Sequence, residues 1–126
     1  MDKKPNLLCI EDENFIGELY TRALTHAGYD VKVIADGEAA LAESLTNAYD
    51  IILLDIMLPS MSGVEILRRL KDQSQTPPLK AKIIITTNLD QEESTREKIE
   101  KMADGYLVKA EITPRELVAY LQQIKL

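Results

Sequence analysis

Five short apolar runs, at residues 7–10, 31–34, 51–54, 82–87 and 106–108, alternate with longer segments in which apolar residues recur every three or four positions. Short unbroken runs bounded by turn residues suit strands buried on both faces, and the three-to-four spacing suits one face of a helix. Strict alternation of the two implies βαβ units, hence a parallel sheet with helices on both faces. Right-handed crossovers leave few ways to lay out such a sheet. The expected fold is therefore an α/β, doubly wound (βα)5 domain whose five parallel strands lie in the order 2-1-3-4-5. Its 126 residues fit one domain spanning 1–126.

The helical segments differ in strength. In the first, Phe15, Ile16, Leu19, Tyr20, Ala23, Leu24 and Ala27 share a face, and Gly28 suits the left-handed residue that closes a helix. A second helix is expected at 37–46, carried by Ala39, Ala40, Leu41 and Leu45. A third starts near Gly63 after the N-cap candidate Ser62, and a last one starts after Thr113, with Pro114 at its first position. The fourth, at 91–102, has only Ile99 and Met102 as apolar anchors, while Glu92/Arg96 and Glu97/Lys101 are spaced as i,i+4 pairs. Such pairs contribute only about 0.2–0.5 kcal/mol each, so this helix should be the least firmly docked. Residues 72–78, rich in Gln, Ser and Pro, read as an exposed loop.

Composition narrows the function classes. A formal charge of −6 argues against direct nucleic-acid contact, which needs a basic face. One cysteine precludes an intramolecular disulfide and makes a reducing cytoplasm the default expectation. No apolar stretch approaches the roughly 20 residues of a membrane helix, and the N-terminus lacks a signal-peptide core. Cys9 lies in an apolar run and reads as a small core residue, and His26 has no neighbours that would complete a ligand set.

The chemistry gathers at strand ends. Asp55 closes the run Ile51-Ile52-Leu53-Leu54, and Glu11-Asp12-Glu13 follows Leu7-Leu8-Cys9-Ile10. Open α/β sheets build ligand sites at the carboxyl ends of their strands. With strands one and three adjacent, Glu11, Asp12 and Asp55 converge, and a hard divalent ion such as Mg²⁺ would relieve their mutual repulsion. Thr87 and Lys109 end the fourth and fifth strands and would face an anion held at Asp55. Thr86 competes with Thr87, but strand alternation puts the two on opposite faces and Thr87 is nearer the tip.

These segments together resemble a response-regulator receiver domain, the phospho-accepting module of two-component signalling. The resemblance is carried by Glu11-Asp12, by Asp55-Ile56-Met57-Leu58-Pro59-Ser60-Met61-Ser62-Gly63, by Ile83-Ile84-Ile85-Thr86-Thr87-Asn88 and by Gly105-Tyr106-Leu107-Val108-Lys109, in order along essentially the whole chain. It implies that Asp55 accepts phosphate from a sensor histidine kinase or histidine phosphotransfer protein. It implies Mg²⁺ held by Asp12, Asp55 and the Met57 backbone carbonyl, with Glu11 acting through a bound water. Lys109 would contact the phosphate, Thr87 would swing in to bond it, and Tyr106 would turn inward as a switch aromatic. The surface of the fourth helix, fifth strand and last helix would then signal to a downstream protein target or output domain, or form a phosphorylation-dependent homodimer.

Two positions depart from the family pattern. Asn88 stands where a small Ala or Gly is usual, and Ala110 replaces the usual proline after the lysine. Two other readings compete: a degenerate receiver acting as a constitutive interaction module, and a phosphatase using Asp55 as nucleophile in the manner of haloacid dehalogenases. The second lacks its general acid, since Met57 occupies that position. No output domain follows Gln122-Gln123-Ile124-Lys125-Leu126, which fits either a stand-alone receiver or one cut from a longer regulator.

Overall fold

A computed structural model describes residues 4–72 and 78–126. Five strands and five helices alternate: β1 (Asn6–Ile10), α1 (Asn14–His26), β2 (Asp30–Ile34), α2 (Gly37–Ser44), β3 (Ile51–Asp55), α3 (Gly63–Leu70), β4 (Lys82–Thr87), α4 (Glu93–Met102), β5 (Gly105–Val108) and α5 (Pro114–Gln122), with a 3-10 turn at Lys109–Glu111 before α5. All strands are parallel, in the order β2-β1-β3-β4-β5. This is the expected doubly wound sheet, with element ends within a few residues of the expected ones. The expected loop falls mainly on residues 73–77, outside the described residues, as do residues 1–3 of the N-terminus.

Side-chain alternation along the strands sends apolar groups to both faces of the sheet. One core layer gathers Leu8, Ile10, Ile52, Leu54, Ile83 and Ile85 against Ile66, Leu67 and Leu70 of α3 and Ile99 of α4. The opposite layer sets Leu7, Cys9, Ile51, Leu53 and Ile84 against Tyr20 and Leu24 of α1 and Leu117 and Leu121 of α5. β3 is buried along its entire length, as its unbroken apolar run requires.

Local signals set the helix ends. Gly28 adopts φ 105° just after α1, a conformation that glycine enters without steric cost. Asp36 and Ser62 accept hydrogen bonds from the N–H groups of Ala39 and Val64, and Thr113 and Glu116 form a reciprocal capping box. Anchoring is uneven. A fully buried Leu or Ile contributes about 1.5–3 kcal/mol. α3 buries three such residues, but α4 buries Ile99 alone, with Met102 partly covered. The expected ion pairs of α4 need correction. Arg96 pairs forward with Glu100 and back with Asp90, rather than with Glu92, which occupies the N-cap position outside the helix.

Cys9 is 2% exposed, and burial, followed by the nearby Glu11 charge, pushes its thiol from 9.0 up to about 12. Thiolate is the reactive form, so native Cys9 should react with a maleimide or disulfide reagent far more slowly than the urea-unfolded chain. The shift corresponds to about 1,000-fold less thiolate near neutral pH. It also makes stability fall as pH rises from 9 toward 12, because only the unfolded thiol ionises there. Equal labelling rates in the folded and unfolded chains would contradict this.

Candidate functional site

The carboxyl ends of β1, β3, β4 and β5 meet in one acidic cleft. Asp55, the last residue of β3, is 1% exposed, and its Cα is in register with that of Thr86 on β4. One carboxylate oxygen, Oδ1, accepts the Met57 N–H at 2.9 Å, and the other, Oδ2, accepts from Lys109 Nζ at 3.0 Å. The chain turns sharply after Asp55 because Gly63 packs directly against it. A Cβ at Gly63 would sit 2.7 Å from the Asp55 carbonyl oxygen, so a larger residue would force the two loop ends apart.

Glu11 and Asp12 enter the cleft from the end of β1. Ligand atoms of Glu11, Asp12 and Asp55 all lie within 4.8 Å of one another. Glu11 is buried and committed: Oε1 bonds Lys109 Nζ, and Oε2 accepts the Glu13 N–H at 3.2 Å. Asp12, by contrast, is not buried. Three carboxylates against one ammonium leave a formal charge of −2, which a divalent cation would cancel. Oxygen donors at this spacing, one of them open to solvent, fit a hard cation that keeps part of its water shell.

Lys109 begins the 3-10 turn that follows β5, and its side chain is 5% exposed. Burial acts to lower its pKa, but the Glu11 hydrogen bond and the Asp55 charge outweigh that and hold it above its ordinary value. For Glu11 the balance falls the other way. Burial dominates the Lys109 hydrogen bond, and the carboxyl is raised. Both shifts run upward, for opposite reasons. With Ala110 after Lys109, the loop takes this 3-10 form and keeps the ammonium aimed into the cleft.

Thr87 and Tyr106 are both tied to the β4–α4 loop. Thr87 is fully buried, and its hydroxyl donates to the Leu89 carbonyl at 2.7 Å. Tyr106 is partly buried beneath the β4–α4 loop; its hydroxyl donates to Asp90 at 3.0 Å and accepts the Gln91 N–H at 3.0 Å. Arg96 stacks 4.6 Å over its ring. Asn88 reaches across the mouth and donates to Glu13 at 3.2 Å. Sequence reasoning reached Asp55, Glu11, Asp12, Thr87, Lys109 and Tyr106 but not Asp90, Gln91 or Arg96, whose roles arise from loop contacts with no linear signature.

The model of the family described as "Response regulator receiver domain" matches residues 7–122. The chain belongs to that family. Among its relatives, the response regulator ArlR of Staphylococcus saprophyticus is 41% identical over 106 residues, covering 82% of this chain and 44% of the relative. ArlR of Staphylococcus aureus is 37% identical over 121 residues, 94% of this chain and 51% of the relative. The receiver thus spans about half the length of these curated relatives. Among solved structures, chemotaxis protein CheY4 of Vibrio cholerae is 30% identical with a TM-score of 0.80, covering 97% of this chain and 99% of that one. The BeF3-activated N-terminal receiver domain of Klebsiella pneumoniae RstA is 30% identical with a TM-score of 0.78, covering 93% and 95%.

Proposed function

We propose that this receiver domain accepts a phosphoryl group on Asp55 from a phosphohistidine of a sensor histidine kinase or histidine phosphotransfer protein. The observation that carries the reading is the buried Asp55 carboxylate, bonded by Lys109 and flanked by Glu11 and Asp12. A carboxylate oxygen of Asp55 attacks the phosphorus, the P–N bond breaks, and its electron pair returns to the imidazole of the donor. Lys109 follows the added charge and stabilises the new phosphoryl oxygens.

Asp12 and Asp55, with the Met57 backbone carbonyl, would hold Mg²⁺ directly, and Glu11 would act through water. When bound, the ion neutralises charge that builds on the phosphoryl oxygens. Thr87 leaves Leu89 to bond the phosphate, and Tyr106 turns inward. The readout is the α4–β5–α5 surface, presented to a downstream protein or a second copy. The chain is a signalling phospho-acceptor with weak self-catalysed transfer and autodephosphorylation, and it works in the cytoplasm.

Exposed apolar side chains on the segments that follow β1, β3 and β4 support a protein as donor. Phe15, Met57 and Leu89 are 70%, 48% and 66% exposed on α1, the β3–α3 loop and the β4–α4 loop. Met57 carries no acid, so the phosphatase reading still lacks its proton donor.

Incubation with acetyl phosphate and Mg²⁺, followed by intact-mass measurement, tests the assignment. One phosphoryl group should appear on the wild type and none on Asp55→Asn. A phosphorylated species that persists in Asp55→Asn would defeat it.

A further inference from the structure

The partners of Thr87 and Tyr106 fall on three consecutive residues. The Thr87 hydroxyl donates to the Leu89 carbonyl at 2.7 Å and accepts from Gln91 Nε2 at 3.3 Å. The Tyr106 hydroxyl donates to Asp90 at 3.0 Å and accepts from the Gln91 N–H at 3.0 Å. Gln91 Nε2 also donates to the Leu89 carbonyl at 3.0 Å, which closes a small ring around the Thr87 hydroxyl. Among the described residues, Gln91 alone is hydrogen-bonded to both Thr87 and Tyr106.

We propose that Gln91 is the positioning residue that couples Thr87 to Tyr106, an inference that rests on Asp55 being the phospho-acceptor. The Thr87 hydroxyl carries a single proton. It can serve the Leu89 carbonyl or a phosphoryl oxygen on Asp55, but not both. Turning toward phosphate breaks the Leu89 bond and removes the oxygen that Gln91 Nε2 uses as an acceptor. The segment 89–91 then loses both of its ties to Thr87. Its other ties run to Tyr106 and, through Asp90, to Arg96, so a shift of this segment alters both hydrogen bonds of the tyrosine hydroxyl together. Arg96 resists that shift by bonding Asp90 at 2.9 Å while covering the Tyr106 ring. The result is a two-position loop whose equilibrium Thr87 biases from one side and Tyr106 reports from the other.

Gln91 is only partly buried in a loop, so its replacement leaves the core intact. The Thr87 methyl and Tyr106 ring resonances of the 126-residue chain would be followed by NMR through a beryllofluoride titration with Mg²⁺ present. In the wild type the two signals should move with one midpoint. In Gln91→Ala, Thr87 has one hydrogen bond fewer holding it back, and its midpoint should fall about fivefold, the factor expected for one neutral bond. Tyr106 should complete less than half of its wild-type displacement. Gln91→Met keeps the side-chain length without the amide donor and should behave as Gln91→Ala does. If either variant keeps the wild-type midpoint and moves both signals together, Gln91 is not the link. If the wild type moves neither signal, the phospho-acceptor reading fails and takes this inference with it.

Discussion

Replacing Lys109 with methionine should lower the stability of the Mg²⁺-free protein by about 3 kcal/mol at neutral pH, the scale for removing one partner of a buried ion pair. Methionine preserves the length and apolar stem, so the loss isolates the ammonium. Glu11 and Asp55 stay buried, each keeping one backbone donor, Glu13 N–H and Met57 N–H. The sign of the pH dependence follows from Glu11. Its carboxyl already lies above the ordinary 4.5 because burial outweighs the Lys109 hydrogen bond, and removing Lys109 raises it further. A carboxyl raised in the folded state destabilises the fold at neutral pH, and acidification through the raised pKa relieves this. The wild-type lysine, raised above 10.5, gives its stabilisation in full at pH 7 and loses it only at alkaline pH. Urea unfolding of both proteins across pH should show the gap narrowing toward acid, and Mg²⁺ should narrow it at neutral pH. A gap under about 1 kcal/mol, or one that widens toward acid, would mean that the pair does not carry the site's electrostatics.

That pair marks the boundary of what the sequence discloses. Glu11 and Lys109 are 98 residues apart, yet the sequence places both at the cleft, because each follows an apolar run and right-handed crossovers leave few strand orders. Strand ends are legible because they depend on local pattern. The direct bond between Glu11 and Lys109 was not legible, since it depends on how two side chains share a cleft already occupied by Asp55. Thr87 shows the same limit. Its position at the tip of β4 follows from the run Ile83-Ile84-Ile85, but the hydroxyl's turn toward Leu89 is decided by the following loop. Arg96 is a sharper case. An i,i+4 rule joins it equally well to Glu92 or Glu100, and the helix beginning at Glu93 leaves Glu92 outside and selects Glu100. Asp90 then joins from outside the helix, beyond the reach of any helical periodicity.

Thr87→Ala should still accept phosphate at Asp55 and yet lose most of the response in α4. Acceptance survives because the acceptor, Lys109 and the acidic pair are untouched; Thr87 bonds the β4–α4 loop and not Asp55. The response is lost because a ligand shifts an equilibrium only through contacts that differ between its two states. The hydrogen bond between phosphate and the Thr87 hydroxyl is such a contact. At about 1–3 kcal/mol for a charge-assisted bond, it changes the ratio of the two loop positions roughly 5- to 150-fold. α4 can register a bias of that size because Ile99 is its one fully buried anchor, and an element with few buried contacts moves at low cost. In wild type, beryllofluoride should therefore alter amide exchange and backbone shifts throughout Glu93–Met102. In Thr87→Ala the same reagent should perturb residues next to Asp55 while leaving the α4 amides close to their free values. The loop's ties to Tyr106 and Arg96 are untouched, and with no phosphate bond to draw the loop away, the variant keeps the resting position. If Thr87→Ala shows the full wild-type change in α4, the signal reaches that helix without the threonine, and the direct contact of the β4–α4 loop with the phosphate becomes the element to test.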